Sequence, residues 1–127
     1  GRIVNITSAM VKAPIAPLSL SVAARLGLTG FVKAVAGPYA KSNVTINNLL
    51  PGAFDTDRLR GTMKGAAEKQ GKSIDQVAEV RKKTIPAQRF GTAEEFGDTC
   101  AFLCSQQAGY ITGQNLLIDG GGFPGTL

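Results

Sequence analysis

The sequence predicts an α/β layer structure built on a parallel sheet. Three short apolar runs with strand character, at residues 1–8, 44–50 and 115–118, alternate with segments of helical periodicity. The order strand, long helix, strand, helices, strand is the one that crossover connections turn into parallel neighbours. Sixteen glycines in 127 residues add the expectation of many tight turns between short elements.

Each element carries its own signal. The first run, GRIVNITS, opens with β-branched Ile3 and Val4 and closes in polar residues, as a buried strand does. A short loop holding Pro14 and Pro17 follows. Residues 18–41 read as one long helix. Leu28, Phe31, Val32 and Val35 recur there at the spacing of an apolar stripe, and Ser42-Asn43 ends it. Residues 44–50 are a second buried strand, stopped by Pro51-Gly52. Residues 55–84 are polar and irregular, with two short helices divided at Gly71-Lys72 and Ser73 placed to cap the second. Pro86 closes that region. Thr92 with Glu95 three residues on is a capping box for a further helix, whose stripe is Phe96, Cys100 and Leu103. A turn at 109–113, the third strand, and Asp119 with Gly120, Gly121 and Gly122 complete the chain. No internal repeat is visible.

The composition narrows the function classes. The length suits one compact domain and is too short for two of ordinary size. With 43% hydrophobic and 18% charged residues, the chain can build a core and is not disordered. The net charge is +5, but the cations are scattered apart from Arg81-Lys82-Lys83. No nucleic-acid recognition motif accompanies them, so nucleic acid is not an expected partner. No unbroken apolar run reaches the roughly 18 to 20 residues of a membrane span, so no membrane is expected. Cys100 and Cys104 share one helix face at a spacing that suits a disulfide poorly; reduced thiols and a cytoplasmic location are the expectation. With no histidine, no metal site is expected.

Five motifs stand in a telling order: GRIVNITS, GLTGFVKAVA, VTINNLLPGAFDT, RFGTAEEFGDTCAFLCS and YITGQNLLIDGG. Together they resemble the short-chain dehydrogenase/reductase family, including its 3-oxoacyl-reductase-like members, over almost the whole chain. The resemblance implies the C-terminal half of a Rossmann-type doubly wound sheet. The family's opening strand, Gly-rich turn and helix, which hold the cofactor pyrophosphate, have no counterpart here. Residues 1–127 are therefore expected to be a single partial domain lacking its dinucleotide-binding half, with 57–84 as the family's variable substrate loop, a potential lid.

The resemblance also implies a catalytic register. In the family a Ser is followed about thirteen residues on by a Tyr, and four further by a Lys. Counting from Ser8 gives Ser21 and Arg25. A second register, sliding Gly27-Leu28-Thr29 onto the family's motif, gives Leu18 and Val22 but needs a deletion and an insertion, so the first is preferred. Either way the Tyr and Lys are absent. Carbonyl reduction needs an acid for the forming alkoxide. A Ser hydroxyl is a far weaker acid than a Tyr, and Arg25 keeps the positive charge without readily giving up a proton. Ser8 can still hydrogen-bond a carbonyl. Lys12, four residues beyond Ser8, is a candidate replacement acid or base, against the plainer reading of a solvated loop lysine; a water relay organised by Ser8, Ser21 and Arg25 is another route. Tyr39 and Tyr110 read as packing residues. On the cofactor side, Pro51, Gly52, Phe54 and Thr56 match the family's nicotinamide loop, and Arg25 can hold ribose hydroxyls. In the substrate region, Met63, Ala66, Ala67 and Ile74 either line an apolar pocket or pack the lid on its own domain.

What the resemblance implies is an oxidoreductase that uses NAD or NADP to interconvert a carbonyl, a ketone or 3-oxoacyl group, and an alcohol. The alternative is a catalytically impaired protein that keeps the fold and binds nucleotide or partners without turnover. The family also implies a homodimer or homotetramer, paired through helix 18–41 and the region 92–119, with the tail 123–127 near that contact.

Overall fold

In the computed structural model, which describes residues 1–126, β1 (Arg2–Ile6), β2 (Thr45–Pro51) and β3 (Asn115–Ile118) form one sheet in the order β1-β2-β3. Both pairings are parallel. Helix α1 (Ser19–Ala40) connects β1 to β2. Helices α2 (Asp57–Gln70), α3 (Ile74–Lys83) and α4 (Ala93–Cys104) lie between β2 and β3. Helix α1 packs on β2, α4 on β1 and β2, and α2 on α3.

β2 is the centre of the molecule. Thr45 through Leu50 are all buried, and Leu49 and Leu50 are completely so. A central parallel strand is covered on both faces, hence its run of side chains that avoid water. Its two asparagines are satisfied locally. Asn47 donates from Nδ2 to the Ile111 carbonyl at 2.8 Å and accepts from the Gln114 amide at 3.0 Å. Asn5, Asn48 and Asn115 stand in one register across the sheet. Asn5 Nδ2 donates to Asn48 Oδ1 (3.2 Å) and Asn48 Nδ2 to Asn115 Oδ1 (2.8 Å). An amide ladder thus runs across all three strands.

Two faces differ from the sequence reading. Ile3 and Ile6 on β1 are 47% and 61% exposed rather than buried, because β1 lies at the edge of the sheet with side chains uncovered. On α1, Val22, Val32 and Ala36 are the buried residues, and Val32 and Ala36 pack on Ile46. Leu28 and Phe31 face outward. The helix is apolar around much of its circumference, so periodicity alone does not say which side meets the sheet. The stretch Ala16–Ala40 has the length and mean hydropathy (1.4) of a membrane-crossing helix, with only 11% of its apolar window buried within the chain. Arg25 and Lys33 interrupt it, so it is not an unbroken apolar run.

The region read as irregular is a helical hairpin. Thr56 caps α2, accepting from the Leu59 amide, and Gly71 ends it in the left-handed conformation at φ 61°. Ser73 and Gln76 form a capping box for α3, and Thr92 with Glu95 forms the expected one for α4. Leu59 and Met63 pack with Ile85 and Phe90 in one apolar cluster. Cys100 and Cys104 lie on α4 as free thiols.

Candidate active site

The C-terminal ends of β1 and β2 open into a cleft of about 800 Å³. Ser8, Ser21, Arg25, Pro51, Gly52, Phe54 and Thr56 all line it. They come from three places: the turn after β1, the first turns of α1, and the loop after β2. Ligand sites of open α/β sheets form at these strand ends.

The loop after β2 is fixed by its backbone. The Gly52 amide donates to the Ile118 carbonyl (2.8 Å), the Gly91 amide to Ala53 (3.0 Å) and the Asp55 amide to Gly91 (2.9 Å). Gly52 sits against the end of β3: a Cβ there would lie 2.6 Å from Asp119 Cβ and 2.7 Å from its Cα. The Phe54 ring lies over Gly91, where a Cβ would meet it at 2.5 Å. It also meets Phe96 edge-on, with centroids 5.3 Å apart. Phe54 thereby anchors the loop through packing. The Thr56 oxygen is occupied by the Leu59 amide, which leaves its hydroxyl hydrogen to donate.

The opposite wall is fixed by side chains. Arg25 Nε donates to the Thr7 carbonyl (3.3 Å), and Nη1 donates to both the Ser21 carbonyl (3.2 Å) and Ser21 Oγ. Because Ser21 Oγ accepts from a guanidinium, its own hydrogen is left to donate elsewhere. Ser8 Oγ accepts from the Met10 amide at 3.2 Å, and its hydrogen is likewise uncommitted to that bond.

Other candidate residues fall outside the cleft. Lys12 is not part of its lining; its ammonium stands 5.6 Å from the centre of the Phe123 ring, and Phe123 does line the cleft. Lys12 therefore belongs to the rim. Tyr39 and Tyr110 are 55% and 102% exposed and lie outside it. Met63 and Ala67 are buried in the α2–α3 hairpin, and none of Met63, Ala66, Ala67 and Ile74 lines the cleft. Met63 packs with Leu59, Ile85 and Phe90, while Ile74 is 42% exposed. From this region the cleft is lined instead by Leu59, Thr62, Arg81, Thr84 and Ile85, which the sequence reading missed. Their positions along α2 and after α3 carry no motif. Thr7, buried at 5% exposure, was missed as well; its Oγ1 has no partner.

The family model described as enoyl-(acyl carrier protein) reductase matches residues 1–122. The chain belongs to the short-chain dehydrogenase/reductase family. It is 36% identical over 121 residues to the NADPH-dependent reductase BacG of Bacillus subtilis, a match covering 95% of this chain and 47% of that protein. It is also 36% identical over 121 residues to the 3-oxoacyl-(acyl-carrier-protein) reductase FabG of Salmonella typhimurium, with 95% and 45% covered. Among solved structures, YwfH, described as an NADPH-dependent reductase involved in bacilysin biosynthesis, superposes with a TM-score of 0.91 at 34% identity, over 98% of this chain and 48% of its own. The chain spans about half the length of the curated relatives it matches. Its three-stranded parallel sheet corresponds to the C-terminal half of the family's doubly wound fold.

Proposed function

We propose that this short-chain dehydrogenase/reductase forms the substrate-side half of an NAD- or NADP-dependent oxidoreductase that interconverts a carbonyl and an alcohol. The observation that carries this is the convergence of Ser8, Ser21 and Arg25 with the Pro51–Gly52–Thr56 loop in one cleft. The residues suit a nicotinamide dinucleotide. The buried hydroxyl of Thr7, on the cleft lining, lacks a partner, and such groups are the ones a ligand satisfies. The Thr56 hydroxyl hydrogen and the Pro51–Gly52 backbone face the same space.

A bound reduced nicotinamide would supply the hydride. The chain's share is the other half of the chemistry. Ser8 and Ser21 donate hydroxyl hydrogens to the carbonyl oxygen. Arg25, donating to Ser21 Oγ, orients that hydroxyl and offsets the negative charge that develops as the alkoxide forms. The proton comes from solvent through a water relay organised by Ser8, Ser21 and Arg25: Ser21 Oγ passes its hydrogen to the alkoxide as it takes one from the relay water, which is replenished by a solvent proton. Arg25 Nη2, which has no acceptor among the described residues, is available to a ribose hydroxyl. Lys12, at the rim, is not given a proton-transfer role.

The reading includes a homodimer or homotetramer. The outer face of α1, with Leu20 87% and Phe31 62% exposed, supports pairing of two copies there, with the region 92–119 as a second contact. It also includes a cytoplasmic setting for the reduced Cys100 and Cys104, and residues 57–84 as the substrate-loop region.

The test is fluorescence titration of the full-length protein with NADPH and NADH, then turnover of ketones and 3-oxoacyl thioesters. Binding with turnover, and a drop of about 10²-fold or more in kcat for Ser21→Ala, is expected. NADPH comes first in the titration because it is the cofactor that relatives are named with. No binding of either nucleotide would remove the cofactor loop from the argument. Restoring Tyr and Lys at positions 21 and 25 should lower activity or leave it unchanged. A large gain would mean that the present pair is catalytically idle.

A further inference from the structure

Four arginines follow the Pro51-Gly52 turn: Arg58, Arg60, Arg81 and Arg89. Two are held in two-point ion pairs. Arg60 grips Asp55 at 2.9 and 3.0 Å, and Arg89 grips Glu95 at 2.8 and 2.5 Å. Neither lines the cleft. Arg58 and Arg81 do line it, and neither has a carboxylate partner among the described residues. They arrive from separate elements, the first turn of α2 and the last turn of α3.

Among the described residues Asp119 is the one carboxylate in the cleft lining, and its two oxygens accept from the Gly121 amide (3.0 Å) and the Phe123 amide (2.7 Å). Arg25, a third guanidinium in the lining, is tethered by Nε and Nη1 to Thr7 and Ser21, whose oxygens are neutral, so it adds positive charge to the cleft. Much of the remaining wall is apolar, with Met10, Ile15, Leu59 and Ile85 among its residues. A concave surface with two uncompensated guanidiniums over an apolar floor attracts an amphiphilic anion. The guanidinium fork matches a carboxylate at two points, as Asp55 and Glu95 already show on this chain.

We propose that the carbonyl substrate is itself an acid, a carboxylate-bearing ketone whose carboxylate is held by Arg58 and Arg81 while its carbonyl faces Ser8 and Ser21. This rests on the oxidoreductase reading above and names its substrate class. The phosphates of the nucleotide cofactor are the other source of the same charge, so the test separates the two.

Full-length protein saturated with NADP⁺, which cannot reduce a ketone, is titrated calorimetrically with acetoacetate and with methyl acetoacetate. The acid is expected to bind about tenfold more tightly than the ester, the scale of one charge-assisted contact at a partly solvated site. Arg58→Gln and Arg81→Gln should each remove most of that preference while NADP⁺ affinity holds. Equal affinity for acid and ester overturns the proposal, as does a preference that survives the double variant. Loss of NADP⁺ affinity with the acid preference intact assigns the two arginines to the cofactor phosphates and overturns it too. Turnover of both compounds with NADPH is measured in parallel. Acid-selective binding without turnover of either compound leaves the substrate class standing and counts against the oxidoreductase reading alone.

Discussion

The loop from Pro51 to Thr56 is held by main-chain hydrogen bonds to β3 and to Gly91, whereas the facing wall is held through its side chains: Arg25 donates to Ser21 Oγ and to the Thr7 carbonyl, and Ser8 Oγ accepts from the Met10 amide. The two walls of one cleft thus depend on different things. A backbone-built wall needs a glycine where two strands touch and tolerates change at most other positions. A side-chain-built wall depends on the identity of every residue in it. On this chain the side-chain wall keeps one direct link, from Arg25 to Ser21 Oγ.

The largest expected effect breaks the backbone wall. Gly52→Ala would drive a methyl into the Asp119 main chain, which cannot retreat without pulling β3 from β2. A loss of about 3 kcal/mol is expected, read by urea denaturation, together with loss of nicotinamide binding. The side-chain wall should cost less. Arg25→Met removes the hydrogen bonds to Thr7 and Ser21 at a half-buried site, worth about 1–2 kcal/mol by the same measurement. Its effect on kcat should exceed its effect on stability, because Ser21 loses its orientation. Arg25→Lys sharpens the point: it keeps the charge but not the fork, so activity should stay low.

Smaller again is Thr56→Ala, which removes the α2 cap at a cost of about 1 kcal/mol and weakens nucleotide binding through the lost hydroxyl. The smallest concerns the outer support of the backbone wall, where Arg89 grips Glu95 beside Gly91. Hydrogen bonding from Arg89, and next from the Thr92 amide, holds the Glu95 carboxyl at about 2 against an ordinary 4.5. A depressed folded value stabilises the fold above the unfolded value and loses that contribution as pH falls through the folded one. Arg89→Gln should therefore flatten the dependence of stability on pH between about 4.5 and 2, followed by circular dichroism. An unchanged slope would show that the pair does not hold in solution.

Much of this architecture was legible from the sequence. The three strands, the long helix, the cap at Ser73 and the capping box at Thr92 follow from patterns that act within a few residues, and α1 begins and ends within one residue of expectation. Facing was less legible. Helix α1 is apolar on several sides, so no stripe singles out Val22, Val32 and Ala36 as the buried set. The cleft was legible on its backbone side, where Pro51-Gly52 is a local motif, and through the family resemblance that pointed to Ser8, Ser21 and Arg25, three residues that line it. Leu59, Thr62, Arg81, Thr84 and Ile85 were not. They meet only because Gly71 folds α3 back on α2, and nothing in a linear pattern says which faces of two short polar helices will look inward.

The asparagine ladder bears on how the sheet comes to be aligned at all. Its bonds join residues 43 and 67 positions apart in the chain, so β2 must find both neighbours across long closures, the slow kind of folding step. A slip of one residue would turn the Asn48 amide to the other face and leave buried amide groups unpaired, at a cost of about 1–3 kcal/mol each. Leucine against leucine would forgive such a slip. Amide against amide does not, and the ladder favours the one alignment in which all three asparagines pair.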